Sequence, residues 1–140
     1  MIVECSSCRR PNRVPAARVN AKAKCAACKA ALLPLDRPVA IGSAQEFEEL
    51  IHDSPTQVLV DFWAAWCGPC LRVGPELEKL AGERVGRVVV AKVDTEALPD
   101  IAARFNIRSI PTMIVFRDGR EADRLSGAMG ASEIASRLAL

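Results

Sequence analysis

The sequence predicts an α/β fold, a mixed central sheet flanked by helices and preceded by a small cysteine-bearing head. Three features predict it. Apolar, β-branched runs at Gln57 to Trp63 and Val88 to Asp94 bracket Leu71 to Leu80, where apolar residues recur at helical spacing, the pattern of a parallel strand–helix–strand unit. Asp118-Gly119, set between the apolar Met113 to Phe116 and Arg120, signals a two-residue hairpin, so antiparallel strands follow the parallel half. Two Cys-x-x-Cys pairs, Cys5/Cys8 and Cys25/Cys28, mark out a head at residues 1 to 33, joined through residues 34 to 38 to a body at 39 to 140.

With 140 residues, half of them apolar, the chain has room for one full domain and a small appendage. The net charge of +2 hides an asymmetry: residues 1 to 40 hold eight Lys/Arg against two Asp/Glu, and the remainder eleven against fifteen. No apolar run resembles a signal peptide or approaches the roughly 20 residues of a membrane span, so a soluble protein of the reducing cytoplasm, with no membrane partner, is expected. There, six cysteines all in Cys-x-x-Cys pairs read as metal ligands or redox catalysts in preference to structural disulfides.

In the head, sixteen residues separate the two cysteine pairs, a spacing that lets two knuckles close a tetrahedral thiolate cage. Such a cage is needed: the head has no aromatic residue and its apolar positions are mostly Ala and Val, too little surface to fold unaided. A structural zinc site on Cys5, Cys8, Cys25 and Cys28 is the favoured assignment, with two disulfides or a rubredoxin-like iron as alternatives. Arg9, Arg10, Arg13, Lys22, Lys24 and Lys29 could offset the charge of four thiolates. Nucleic acid is not an expected partner, because no aromatic side chain is available to stack on bases. Pro34 and Pro38 block helix and predict an extended crossing.

The body opens with a short edge strand at Pro38 to Ile41, and the capping box Ser43-Ala44-Gln45-Glu46 starts a helix running to about His52, read as a solvated helix-end histidine. In the central strand Asp61 is the only polar residue between Val58 and Trp63; a carboxylate so placed is expected to be buried, raised in pKa and able to accept a proton, unless it faces solvent at the strand end. Cys67 then falls at a helix N-terminus, where free N–H groups and the helix dipole favour thiolate, and Cys70 one turn on can attack any disulfide that Cys67 forms. Gly68 and Pro69 place no donor side chain between them, so the pair should lean towards reducing. Pro75 should kink the helix, which runs towards Ala81. A strand at Val88 to Asp94, a short helix near Pro99 to Phe105, and Pro111 heading the strand from Met113 follow. Ser126-Gly127-Ala128 closes the second hairpin strand, and the last helix spans Ala131 to Leu138.

Asp61-Phe62-Trp63-Ala64, Trp66-Cys67-Gly68-Pro69-Cys70, Pro75, Lys92, Ile110-Pro111-Thr112 and Gly127 together resemble a thioredoxin from about Val39 onwards, and the head resembles the N-terminal extension of the bacterial zinc-containing thioredoxins, the thioredoxin 2 subclass. The resemblance implies a thioredoxin fold and a protein-disulfide reductase in which Cys67 is the nucleophile, Cys70 the resolving thiol, Asp61 its proton acceptor and Lys92 the cation modulating Asp61. It also implies a cis bond before Pro111 and a docking face of Trp66, Gly68, Pro69, Ile110, Pro111, Gly127 and Ala128 for disulfide-containing substrate proteins. The electron donor would be an NADPH-dependent flavoprotein, thioredoxin reductase, since no dinucleotide fingerprint is present. A monomer with no bound organic cofactor is expected. Leu71 departs from the basic residue common after the second cysteine, and Arg72 follows it. Two rivals stand beside this: a disulfide oxidase or isomerase, for which an export signal and a donor between the cysteines are missing, and a binding module acting through the head.

Overall fold

A computed structural model describes all 140 residues, Met1–Leu140. In the head, β1 (Ile2–Glu4) pairs antiparallel with β2 (Pro11–Arg13), and a 3-10 turn follows at Ala16–Arg18. The body contributes β3 (Val39–Ala40), α1 (Ala44–Asp53), β4 (Gln57–Trp63), α2 (Gly68–Glu83), β5 (Val88–Asp94), α3 (Pro99–Arg104), β6 (Thr112–Arg117), β7 (Arg120–Ser126) and α4 (Ala131–Arg137). Its five-stranded sheet has the order β3-β5-β4-β6-β7. β5 is parallel to both β3 and β4, whereas β6 runs antiparallel to β4 and β7. This is a mixed sheet flanked by helices.

Strand alternation divides the core into two layers. Val58, Val60 and Phe62 of β4, with Val89, Ala91 and Val93 of β5, face the layer that holds Phe47 and Leu50 of α1 and Ile101 of α3. Phe47 and Phe105 stack edge-on around Phe116 there, with ring centroids 5.6 and 5.2 Å away. Leu59, Val88, Val90, Met113 and Val115 face the other way, onto Val73, Leu77 and Leu80 of α2 and Ile134 and Leu138 of α4. Ser43 caps α1 as expected, its Oγ accepting from Glu46 N at 3.1 Å, but the return bond of the capping box is displaced by one residue, Glu46 Oε2 accepting from Gly42 N at 2.6 Å. At the hairpin, Asp118 and Gly119 have φ of 52° and 78°, the left-handed pair that a tight turn between twisted strands requires. The α2 helix continues through Pro75.

The head lies against the first of these layers. Val3, Val14, Ala16 and Val19 share one apolar cluster with Phe47, Leu50 and Val58. Glu49 of α1 secures the contact by accepting from Ala16 N at 2.8 Å, and this hydrogen bond, with burial opposing it, holds its carboxyl below the usual range. The segment from Leu33 to Pro38 is more than a spacer, because Leu33 and Leu35 are buried in the same cluster. An apolar side chain between two prolines has a place to go, and the head borrows the body's core in place of one of its own.

Candidate active site and metal cage

The Cys67–Cys70 pair is built at the point where β4 feeds α2. Cys67 is the N-cap of α2, with extended backbone angles (φ −89°, ψ 109°), and Pro69 sits in the first turn, where its missing N–H costs nothing. The two cysteines form a disulfide with Cα atoms 5.2 Å apart. Cys67 Sγ accepts from Cys70 N at 3.2 Å, so a helix-start amide points at the first sulfur. That donor and the positive end of a 16-residue helix are arranged to stabilise negative charge on Cys67 once the bond is reduced.

Asp61 of β4 faces the side of the sheet on which α2 packs. Period-two alternation along β4 puts it on the Leu59 side, facing α2, and Cys70 is buried one turn before Val73 on the sheet-facing side of that helix. Asp61 is wholly buried, and neither carboxylate oxygen has a hydrogen-bond partner in the protein. Burial raises its pKa from 3.8 to about 7, against a smaller lowering by the Lys92 charge. Lys92 is the register neighbour of Asp61 on β5, and its ammonium lies over the Trp63 ring, 4.3 Å from the centroid. The cation therefore acts on Asp61 through space, without an ion pair.

The loops complete a face around the disulfide. The Ile110–Pro111 bond is cis, and Ile110 O lies 3.7 Å from Cys67 Sγ. Gly127 N donates to Pro111 O at 2.9 Å, which brings the end of β7 beside that loop. Gly127 has φ +101°, a conformation that favours glycine, and open space lies where a Cβ would be. Gly68, Pro69 and Ala128 are exposed, and Trp66 is 70% exposed. Sequence reasoning missed Glu96, whose Oε1 accepts from the Trp66 indole N–H at 2.9 Å. Asp94 at the end of β5 was the available signal: its side chain accepts from Glu96 N at 2.9 Å, a turn that delivers Glu96 to the tryptophan. Leu71, 56% exposed, adds apolar surface beside the pair.

In the head, the Sγ atoms of Cys5, Cys8, Cys25 and Cys28 all lie within 4.8 Å of one another, with Cys5···Cys28 and Cys8···Cys25 at 3.6 Å. Four sulfurs around a tetrahedral ion at about 2.3 Å would be about 3.8 Å apart, so the donor set fits a thiolate-bound metal. Backbone N–H groups of Cys8 and Ser7 hold the Cys5 thiol down, and that of Cys28 pulls Cys25 to about 6, each against burial, whereas Cys8, despite a backbone hydrogen bond from Arg10, is pushed up to about 11 by burial and by the neighbouring thiols that share the site.

The Thioredoxin family model matches residues 38–139, and a second, described as Thioredoxin 2, N-terminal, matches residues 4–30. Thioredoxin C-3 of Corynebacterium nephridii is 42% identical over 134 residues, 96% of this chain and 90% of that protein. Thioredoxin 2 of Chlorobaculum tepidum is 44% identical over 94 residues, 67% of this chain and 86% of that one. Among solved structures, a mutant thioredoxin from Halobacterium salinarum superposes with a TM-score of 0.67 at 29% identity, covering 73% of this chain and 88% of that one.

Proposed function

Because this chain belongs to the thioredoxin family and carries the thioredoxin 2 N-terminal module, a thiol–disulfide oxidoreductase lineage, we propose that it is a protein-disulfide reductase acting through Cys67 and Cys70. The observation that carries the proposal is a disulfide-bonded cysteine pair at a helix start, and a buried carboxyl without partners on the same side of the sheet as that helix supports it. The Cys67 thiolate attacks one sulfur of a target disulfide and forms a mixed disulfide with it, while the target's S–S bond breaks and its other sulfur leaves as thiolate. Cys70 loses its proton to Asp61 and attacks Cys67 Sγ, which expels the target sulfur held there and closes the Cys67–Cys70 bond. Two electrons pass to the target. An Asp61 pKa of about 7 suits a group that must take up and return a proton near neutrality.

Trp66, Gly68, Pro69, Ile110, Pro111, Gly127 and Ala128 form the docking face, with an extended target segment pairing to the Ile110 backbone. Lys92 modulates Asp61. Disulfide-bearing proteins are the substrates, and thioredoxin reductase, drawing on NADPH, returns the electrons. The metal is zinc, held by Cys5, Cys8, Cys25 and Cys28; it closes the two knuckles of a head spanning residues 1 to 33, a structural or regulatory part joined through 34 to 38 to the catalytic domain at 39 to 140. No helix is long and apolar enough to cross a membrane; the protein works as a cytoplasmic monomer. Purified protein with thioredoxin reductase and NADPH should reduce insulin disulfides, and Cys67→Ser should abolish turnover. Turnover that survives Cys67→Ser rules the proposal out.

A further inference from the structure

The head carries a second concavity that the disulfide chemistry does not use. A cleft of about 420 Å³ opens between the β2 strand and the segment from Pro15 to Leu32. Its apolar lining includes Val14 and Leu32, and Arg13, Arg18, Lys22 and Lys24 stand around it with no acidic residue. All four cations are exposed, and none has a carboxylate within ion-pair distance. A metal-loaded four-thiolate cage, with a net charge of about −2, and Glu49, already engaged by Ala16 N and the Met1 ammonium, leave the eight Lys/Arg of residues 1 to 40 in excess. Four like charges held around one cleft of mixed polar and apolar lining repel one another, a cost that an anionic occupant with a few aliphatic side chains would lower.

We propose that this cleft is a docking site for an acidic, extended segment of a partner protein. Charge complementarity selects the acidic chain, and the Pro-, Val- and Leu-bearing walls suit its aliphatic residues. A nucleic acid would leave its bases without an aromatic platform, since the head has none. The cleft is also remote from the catalytic pair. Val19 and Asn20, beside Arg18, meet Thr56 and Val88 at the starting ends of β4 and β5, whereas Cys67 follows the far end of β4. Seven strand residues separate those poles, a span of about 20 Å. An acidic segment held there leaves the disulfide face free, so the head would tether a partner while the body works on it or on another region of it.

The test uses full-length, metal-loaded protein and fluorescence anisotropy with a labelled peptide of Glu, Asp, Leu and Pro. Its counterpart with Lys in place of the acids and a single-stranded oligothymidylate serve as comparators. The acidic peptide should bind at low salt and weaken as salt rises, and the Arg18→Glu/Lys22→Glu variant should bind about tenfold more weakly while reducing a small disulfide at the wild-type rate. Metal content and a helical circular dichroism spectrum verify that the variant folds; should it not, Lys24→Glu alone must give the same direction of change. Absent binding, binding indifferent to these charge reversals, or tighter binding of the oligothymidylate than of the acidic peptide overturns the proposal.

Discussion

Asp61→Asn keeps the shape of the buried side chain and removes its titration. In the wild type, ionising a carboxyl whose pKa has moved from 3.8 to about 7 costs about 4 kcal/mol more in the folded protein than in the unfolded chain. The sign follows from proton counting: between pH 4 and 7 the folded state binds more protons than the unfolded one, so stability falls as pH rises through that window and is level on either side. The steepest slope from one group is about 1.4 kcal/mol per pH unit. Glu49 and Glu121, both lowered, act with the opposite sign at more acid pH, but they are common to wild type and variant and cancel in the difference. A buried amide without partners carries its own pH-independent cost of about 1 to 3 kcal/mol, so the absolute stability of the variant decides nothing. What decides is the difference in unfolding free energy of the oxidised proteins, measured by guanidinium titration from about pH 4 to about pH 8.5. It should swing by about 4 kcal/mol in favour of Asp61→Asn as pH rises. Parallel pH profiles for the two proteins refute a buried Asp61 with a raised pKa, and with it the proton acceptor.

Three further outcomes follow from the same structure. Glu49→Ala leaves the Ala16 amide and the buried Met1 ammonium without their shared acceptor at the head–body contact and should cost about 1 to 3 kcal/mol in guanidinium unfolding without changing the rate at which small disulfides are reduced. Cys70→Ser should stall the reaction at the mixed disulfide, trapping substrate on Cys67 as a species that electrophoresis without reductant resolves. Cys28→Ser removes an exposed member of the thiolate cage and should lower bound zinc, measured by elemental analysis, from about one ion per chain while leaving the Cys67–Cys70 pair titrating as before.

Much of the fold was legible because local and global signals agree. The β-branched runs became β4 and β5 with the expected limits, Asp118-Gly119 formed the hairpin, and Ser43 capped α1. Asp61 could be read as buried because one carboxylate interrupts an otherwise apolar strand. The metal cage was legible from spacing, since two Cys-x-x-Cys knuckles bring four sulfurs together with little help from the rest of the chain. What stayed hidden depends on contacts between residues far apart in sequence. The docking of the head rests on Glu49 reaching Ala16, 33 residues away, and Glu49 by itself reads as one more polar position on an amphipathic helix. The same holds for Glu96 and Trp66, and for the cleft on the head, whose cations look in the sequence like a scattered basic excess and converge only once Leu32 returns past β2.

The central claim is that the N-terminus of α2 and the Cys70 amide hold one sulfur ionised, and alkylation tests it most directly. In reduced, metal-loaded protein, the rate of iodoacetamide modification of Cys67, followed by peptide mapping across pH, should show an apparent pKa below the value of about 8.5 found for a free cysteine, with Cys67 modified well ahead of Cys70. A Cys67 that reacts with the pH profile of an ordinary free thiol, or no faster than Cys70, contradicts it.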